Sequence, residues 1–377
     1  MKKLRVLFIA GLDPVAQGGA GGQLAVASQL FRSPLGDLCE LIPISSTQRR
    51  SPPPPLLVRA YFAAGRMLKV LRLLPGSDVV LVFASDGPGL VEKGIYCLVA
   101  RAAGKGVVLR TGSGRVADLS RTVAWRWWLR RVFRACHVIC SQGTYWTKCF
   151  EQYREARDKI VVTPNGVVVP PPSVRPKHDD TLTVSFVGRI EPEKGLSEAL
   201  DAFQQVRRAY PQSQLLLAGQ GSGESNLRKK AISLGVEDRV HFLGWLLRDQ
   251  VQELLARTDV FIMPSHFEGM PNALLEAMAH GVAVIATPVG AVEDLVEHGK
   301  TGRLVPVGDV VALAREMRLL LDDPRLRAQL GEQGRARVRA RYDANITWQP
   351  FWEAVQRAAA EAGIQHPNRE SMAARLD

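Results

Sequence analysis

The chain has 377 residues, 46% apolar and 23% charged, which excludes a disordered protein and exceeds one ordinary core, so two domains of roughly 150–200 residues are expected. No segment reaches the about 18 uninterrupted apolar residues of a membrane-spanning helix. The net charge of +12 is uneven: residues 1–180 hold 26 Lys and Arg against 12 Asp and Glu, leaving 23 against 25 in the rest, and a half so basic suggests an anionic partner such as a membrane, a phosphorylated acceptor or nucleic acid.

Met1–Ala10 is a basic start followed by a short apolar run that enters a glycine cluster at once. A secretory signal needs a longer apolar stretch and a small-residue cleavage site, so the run reads as a first buried strand. Val6–Ala10, Val79–Ala84, Gly106–Arg110, Val138–Ser141 and Ile160–Thr163 are continuous apolar runs, as in parallel strands covered on both faces. Helical periods lie between them at Gln23–Phe31, Leu56–Leu73 and Trp125–Arg134, and this alternation implies a parallel sheet with right-handed crossovers. The cluster Gly18-Gly19-Ala20-Gly21-Gly22 follows the first strand and opens a helix; it fits a plain turn or a backbone pocket for phosphate. Pro52 to Pro55 reads as a stiff bend before a helix.

Two helices carry basic residues. Trp125, Trp128, Leu129 and Val132 form one apolar face, with Arg126, Arg130, Arg131 and Arg134 on the other and Trp127 among them. This fits either a core-packed helix with a solvated basic face or an interfacial helix on anionic lipid. Arg59, Arg66, Lys69 and Arg72 form a second basic stripe on Leu56–Leu73.

Pro and Gly punctuate the stretch from Pro164-Asn165-Gly166 through Pro172 to Asp180, the expected junction. The alternation then restarts. Strands are expected at Leu182–Val187, Gln214–Ala218, Val240–Phe242, Val260–Met263, Val282–Ala286 and Arg303–Val305, and helices at Leu196–Tyr210, Asn226–Leu234, Pro271–His280, Val310–Leu321 and Pro324–Arg339. The fold class is therefore α/β with two doubly wound Rossmann-like domains, 1–170 and 171–345, facing each other across a cleft. Residues 346–377 supply an amphipathic helix that packs back on the first domain, then a frayed tail. Five cysteines, Cys39, Cys97, Cys136, Cys140 and Cys149, form no zinc pattern and are expected as buried free thiols in a reducing cytoplasm.

The most informative element is Glu268-Gly269-Met270-Pro271-Asn272-Ala273-Leu274-Leu275-Glu276, after the strand Val260–Met263. Pro271 suits a helix start, whose free N–H groups make an anion site. Glu268 and Glu276 are a little over two turns apart, roughly 12 Å along the axis. That is too far for a hydrolytic pair working on one bond. It suits carboxylates holding different parts of a long ligand, although spacing alone also fits a surface residue and a solvated helix face.

From Ser185 to about Leu321 the chain resembles the catalytic domain of glycosyltransferase family 4, retaining enzymes of GT-B fold. The matching pieces are Phe186-Val187-Gly188-Arg189 followed by Lys194-Gly195, Leu217-Ala218-Gly219 with Gly221, Phe242-Leu243-Gly244, Glu268 with Glu276, Val284 to Thr287 with Gly290, and Gly299 to Val305. The N-terminal half resembles the family more weakly, through Gly18-Gly19, the strand before Ser141 and Pro164-Asn165-Gly166. The resemblance implies that Arg189 and Lys194 grip the donor diphosphate and that Glu276 accepts hydrogen bonds from ribose hydroxyls. It implies that Glu268 sits by the transferred sugar and steadies oxocarbenium character. Gly269 and Met270 would offer backbone N–H groups, with Pro271, Asn272 and Leu275 in the same donor-binding element. Gly219, Gly221 and the stretch after Gly244 would let the base approach, and Gly18 and Gly19 would face the diphosphate.

Many family members place a His after an N-terminal-domain strand, facing the donor sugar. Here that stretch is Arg110-Thr111-Gly112-Ser113-Gly114-Arg115, so the sugar or acceptor contact is expected from Arg110 or Ser113. His137 reads as structural. No D-x-D motif and no Cys/His cluster is present, so no metal and no cofactor is expected beyond a UDP-, GDP- or similar nucleotide-sugar as substrate. The expected partners are that donor, a glycan or lipid-linked acceptor of cell-surface glycan synthesis and an anionic membrane surface. The expected place is the cytoplasm, peripheral on the inner face of the plasma membrane. A nucleotide-sugar 2-epimerase on the same fold is disfavoured by Glu268/Glu276 with Arg189/Lys194. A nucleic-acid-binding module is disfavoured because no groove of stacking aromatics is readable.

Overall fold

The computed structural model describes residues 3–12, 22–46, 55–85, 87–111, 122–171 and 181–365. Gly18, Gly19, Ser113 and Pro52–Pro54 lie outside them. The chain divides into two compact units, Met1–Pro164 with Thr347–Asp377, and Asn165–Ile346. The junction thus falls at 164/165, before the proline run rather than at 170, because Val167 already bridges to Asp343 within the second unit.

The first unit contains β1 (Leu4–Ala10), α1 (Gly22–Arg32), the short α2 (Leu35–Leu38), β2 (Cys39–Ser45), α3 (Leu56–Leu73), β3 (Val79–Ala84), α4 (Pro88–Ala102), β4 (Gly106–Thr111), α5 (Val123–Ala135), β5 (Val138–Ser141), α6 (Thr144–Glu151) and β6 (Ile160–Val162). Among the described residues its parallel sheet runs β2-β1-β3-β4-β5-β6. The unforeseen β2 contains Pro43, opposite Phe8. Proline removes a ladder donor, which an edge strand tolerates. The chain returns to this unit through α14 (Gln349–Glu361), whose Phe351, Trp352, Val355 and Ala359 join the core with Phe8, Phe83 and Val108. Each such large side chain contributes about 1.5–3 kcal/mol on burial. The fit is close at Gly106, where a Cβ would stand 2.8 Å from the Ala358 carbonyl oxygen. All five cysteines are free thiols, four of them buried.

The second unit contains β7 (Thr183–Val187), α7 (Leu196–Ala209), β8 (Gln214–Ala218), α8 (Glu224–Ser233), β9 (Val240–Gly244), α9 (Arg248–Ala256), β10 (Val260–Met263), α10 (Asn272–Ala279), β11 (Ala283–Ala286), α11 (Val292–Leu295), β12 (Arg303–Leu304), α12 (Val310–Asp322) and α13 (Pro324–Arg341). Its parallel sheet, among the described residues, runs β12-β11-β10-β7-β8-β9. The chain starts in the middle at β7, moves outward through β8 and β9, then jumps back to β10 on the other side. The carboxyl ends of β7 and β10 are therefore the topological switch point, where open α/β sheets bind ligands.

No helix among the described residues is long and apolar enough to cross a membrane. The basic stripe expected on α3 is not continuous, because Arg66 turns inward and donates from Nε to Glu92 at 2.6 Å. The outward face is instead apolar: Leu57, Tyr61 and Leu68 are 86%, 76% and 68% exposed. On α5 the expected division holds for Leu129 and Val132, which are buried, and for the four arginines, which are exposed; Trp125 and Trp128 are half-buried and Trp127 stands out at 58% exposure.

Candidate functional site

The loops after β7 and β10 meet at the switch point. Gly195 ends a short turn with φ +65°, and a Cβ there would overlap the Pro264 carbonyl oxygen. The His266 amide donates to the Glu193 carbonyl at 2.9 Å, and the His266 ring lies 2.8 Å from Glu198 Oε1. This approach carries Lys194 to Glu268, with Nζ 2.7 Å from Oε1. Ser265 Oγ donates to the same oxygen at 2.7 Å. Glu268 is only 8% exposed. Its backbone is held from the other side: Gly290 has φ +58°, a Cβ there would overlap the Glu268 carbonyl oxygen, and the Ala291 amide donates to Gly269 at 2.9 Å.

Beside this pair, α10 begins at Asn272 with Pro271 at its cap. The amides of Ala273 and Leu274 have no acceptor among the described residues, as expected of a first turn, so the helix start offers N–H groups and a positive dipole end. Asn165 fixes this start. Its Nδ2 donates to the Met270 carbonyl at 3.0 Å and to Asn272 Oδ1 at 2.7 Å. One helix therefore presents free N–H groups and a positive dipole end next to a lysine–carboxylate pair.

Residues 172–337 match the family model described as glycosyl transferases group 1. The chain is also 32% identical over 266 residues to the GDP-mannose-dependent monoacylated alpha-(1-6)-phosphatidylinositol monomannoside mannosyltransferase of Corynebacterium glutamicum, covering 66% of this chain and 69% of that one. The chain belongs to the group 1 glycosyltransferases.

Within that group it is 32% identical over 214 residues to a glycogen synthase of Mycobacterium tuberculosis, and spans about half the length of that relative, 50%. Among solved structures, sucrose-phosphate synthase from Thermosynechococcus elongatus aligns with a TM-score of 0.79 at 20% identity, covering 95% of this chain and 100% of that one. Anabaena HepE in complex with UDP and glucose aligns at 0.74 and 20% identity, covering 94% and 99%. At such identity the likeness establishes the fold: GT-B, with two Rossmann-like domains.

The remaining predicted residues of this group 1 chain fall into three sets. Gly219 and Gly221 join the switch-point loops: a Cβ on Gly219 would overlap the Gly188 carbonyl oxygen, and one on Gly221 that of Ile190. The Gly219 amide donates to the Gly244 carbonyl at 2.7 Å, so Gly244, with φ +69°, is stitched to the same edge. Arg189 is exposed and makes no ion pair among the described residues, unlike Lys194. On α10, Leu275 is fully buried, while Glu276 is half-buried and its carboxyl is pushed up to about 7 by burial, opposed by the charge of Arg248. Arg110 belongs to the first unit. It is 1% exposed, its guanidinium is 5.0 Å from the Phe83 ring centroid and 5.5 Å from that of Phe351, and burial lowers its pKa to about 10. His137 is buried, accepts the Val107 amide at Nδ1 and is pushed down to about 4 by burial.

Sequence reasoning assigned no role to four contributors. Ser265 sits three residues before Glu268, a turn spacing at which a hydroxyl reaches a carboxylate. Asn165 stood out in sequence as junction punctuation and as part of a weak family resemblance, but with no role, because its partners are more than 100 residues away. Glu193 and Glu198, which clip His266, had no local signal at all.

Proposed function

We propose that the chain moves a sugar from a nucleoside-diphosphate donor to an acceptor hydroxyl with retention of the anomeric configuration. The Lys194–Glu268 pair beside the start of α10 carries this reading. The donor diphosphate lies against the helix start, with Lys194 and Arg189 supplying fixed positive charge. That charge matters most as the glycosidic bond breaks and the leaving diphosphate becomes more negative. These groups do the work of a bound cation, so the reaction needs no metal. Glu276 receives the ribose hydroxyls, and Glu268 holds the hydroxyls of the transferred sugar and offsets developing oxocarbenium charge.

The lipid acceptor named for the Corynebacterium relative, together with the basic first unit, supports a lipid-linked acceptor of cell-surface glycan synthesis. The protein then works on the cytoplasmic side of the plasma membrane, touching anionic lipid through α3 and α5. The test is a screen of UDP- and GDP-sugars for slow hydrolysis, followed by proton NMR of an early product. Retained configuration, with nucleoside diphosphate released faster when acceptor is present, is the expected result. An inverted anomer overturns retention, and conversion of the donor sugar without release of nucleotide overturns transfer in favour of an isomerase.

A further inference from the structure

An apolar groove lies in the first unit, far along the chain from the residues assigned above. Its walls come from Ala63 and Met67 of α3, Val91 and Ile95 of α4, and Trp125 of α5, and its volume is about 510 Å³. Tyr96 and Glu92 also line it, but their polar atoms are engaged: Glu92 Oε1 accepts from Arg66 Nε and from the Tyr96 hydroxyl. The lining therefore presents mostly carbon. Ala64 stands exposed at the edge, on an apolar stripe of α3 with Leu57, Tyr61, Leu68 and Leu71. These residues recur at four- and three-residue steps, so they share one face of the helix.

The occupant is limited by size and by charge. A protein helix about 10–12 Å across would fill this volume with about one turn, far less than a stable protein interface buries. A slender hydrocarbon chain can use the same space along its length. The exposed cations of the same helices, Lys69, Arg72, Arg126 and Arg130, make no ion pair among the described residues. An amphiphile with an apolar chain and an anionic head meets both features, whereas a neutral one leaves those cations unused.

We propose that the groove between α3, α4 and α5 receives one acyl chain of an anionic bilayer phospholipid, while its headgroup lies among the cations of α3 and α5. The proposal rests on the membrane reading above and narrows it to one chain in one groove. Seating a chain there would fix the depth and orientation of the first unit on the bilayer, which charge alone does not do.

The test uses phosphatidylglycerol vesicles containing a fraction of lipid with a photoactivatable diazirine in the acyl chain. After flotation at low salt and irradiation, cross-linked peptides are mapped by mass spectrometry. Wild-type protein should carry label on residues 63–67 of α3 and 91–95 of α4. The substitution Ala64→Trp, at an exposed position, plugs the groove. It should lower that label at least fivefold while flotation and the thermal melt are retained. Label confined to other segments, or undiminished in the plugged variant, overturns the groove and leaves the membrane reading intact. Absence of flotation at low salt removes both. A concentration-dependent dimer in sedimentation that Ala64→Trp abolishes would assign the groove to a second copy of the chain and overturn the lipid assignment. Mapping on the wild type needs no variant, so a variant that fails to fold does not rescue the idea.

Discussion

Lys194 Nζ is 2.7 Å from Glu268 Oε1, and the two side chains are 15% and 9% exposed. Glu268 also accepts from Ser265, so it is both ion-paired and hydrogen-bonded before any ligand arrives. An incoming diphosphate would share the lysine, coupling phosphate binding to the state of the carboxylate by the sugar. Lys194→Ala should reduce kcat by about 10²–10³, the scale for removing one donor to a developing anion. It should also cost about 1–3 kcal/mol of stability by leaving Glu268 under-compensated. Steady-state kinetics and a urea melt measure the two effects, and turnover within twofold of wild type would sink the leaving-group role.

Glu276 gives a prediction in pH. Burial raises its carboxyl from the ordinary 4.5 to about 7, so folding favours the protonated form. Its contribution to stability is complete below pH 4.5 and is lost as pH rises through about 7. Glu276→Gln should therefore melt higher than wild type at pH 8 and close to it at pH 5. In the proposed role ribose hydroxyls would donate to the ionised form, so binding of a nucleoside diphosphate at pH 7 should release about half a proton. Calorimetry in buffers of different ionisation enthalpy reads this release, and Glu276→Gln should abolish it. No proton release from wild type would remove the ribose role.

Asn165 donates from one amide nitrogen to two oxygens, the Met270 carbonyl and Asn272 Oδ1. Asn165→Asp turns that donor into an acceptor facing acceptors. It should be more damaging than Asn165→Ala, by about 1–3 kcal/mol for the unsatisfied group, and should weaken nucleotide binding in parallel. Equal melting temperatures for the two variants would show that the amide does not hold the helix start.

Gly195 and Gly290 occupy left-handed backbone with no room for a Cβ. Gly195→Ala and Gly290→Ala should each cost at least about 1–3 kcal/mol, a fall of several degrees in melting temperature, and should raise the KM for the donor because the first displaces Pro264, in the turn before Glu268, and the second displaces the Glu268 backbone itself. Gly235→Ala, at φ +64° but in open space, is the control. It carries backbone strain alone and should leave KM unchanged.

On α5, replacing Arg126, Arg130, Arg131 and Arg134 with Gln should weaken flotation with anionic vesicles. A basic residue near such a surface contributes about 1 kcal/mol, screened by salt. Arg131 is 5.3 Å from the Trp127 ring centroid, and Arg134 pairs with Glu155 at 3.2 Å, so Arg126 and Arg130 should matter most. Trp127→Ala should weaken binding further. Flotation unaffected by all of these changes would make the arginines a solvated face.

Most strands of both units could be read directly, because a parallel strand covered on both faces must be a continuous apolar run, as Val79–Ala84 and Val260–Met263 are. The strand Cys39–Ser45 escaped because Pro43 and mixed burial mask an edge strand. The helices Pro88–Ala102 and Arg248–Ala256 were also absent from the expected elements, although Pro88 stands at a helix start. The arginine face of α5 was legible from spacing, but Arg66 on α3 was not. Whether a basic side chain faces water or a buried carboxylate depends on Glu92, which lies on another helix.

The sequence by itself determined the alternation of strands and helices, the helix that carries Glu276 just after Glu268, and the glycines and cations that follow the strands. All of these are local, since a run of side chains decides its own secondary structure and the ends of strands collect the polar loops. Only the tertiary structure decided which loops meet. The jump of the chain from β9 back to β10 beside β7 sets Gly195 against Pro264 and so brings Lys194, 74 residues away, onto Glu268. It also moved the boundary to Asn165, buried Arg110 between Phe83 and Phe351, and opened a groove between helices whose apolar residues look like core in sequence. The physical reason is that burial and charge compensation are properties of neighbours in space, and sequence spacing reports neighbours only within one helix or turn.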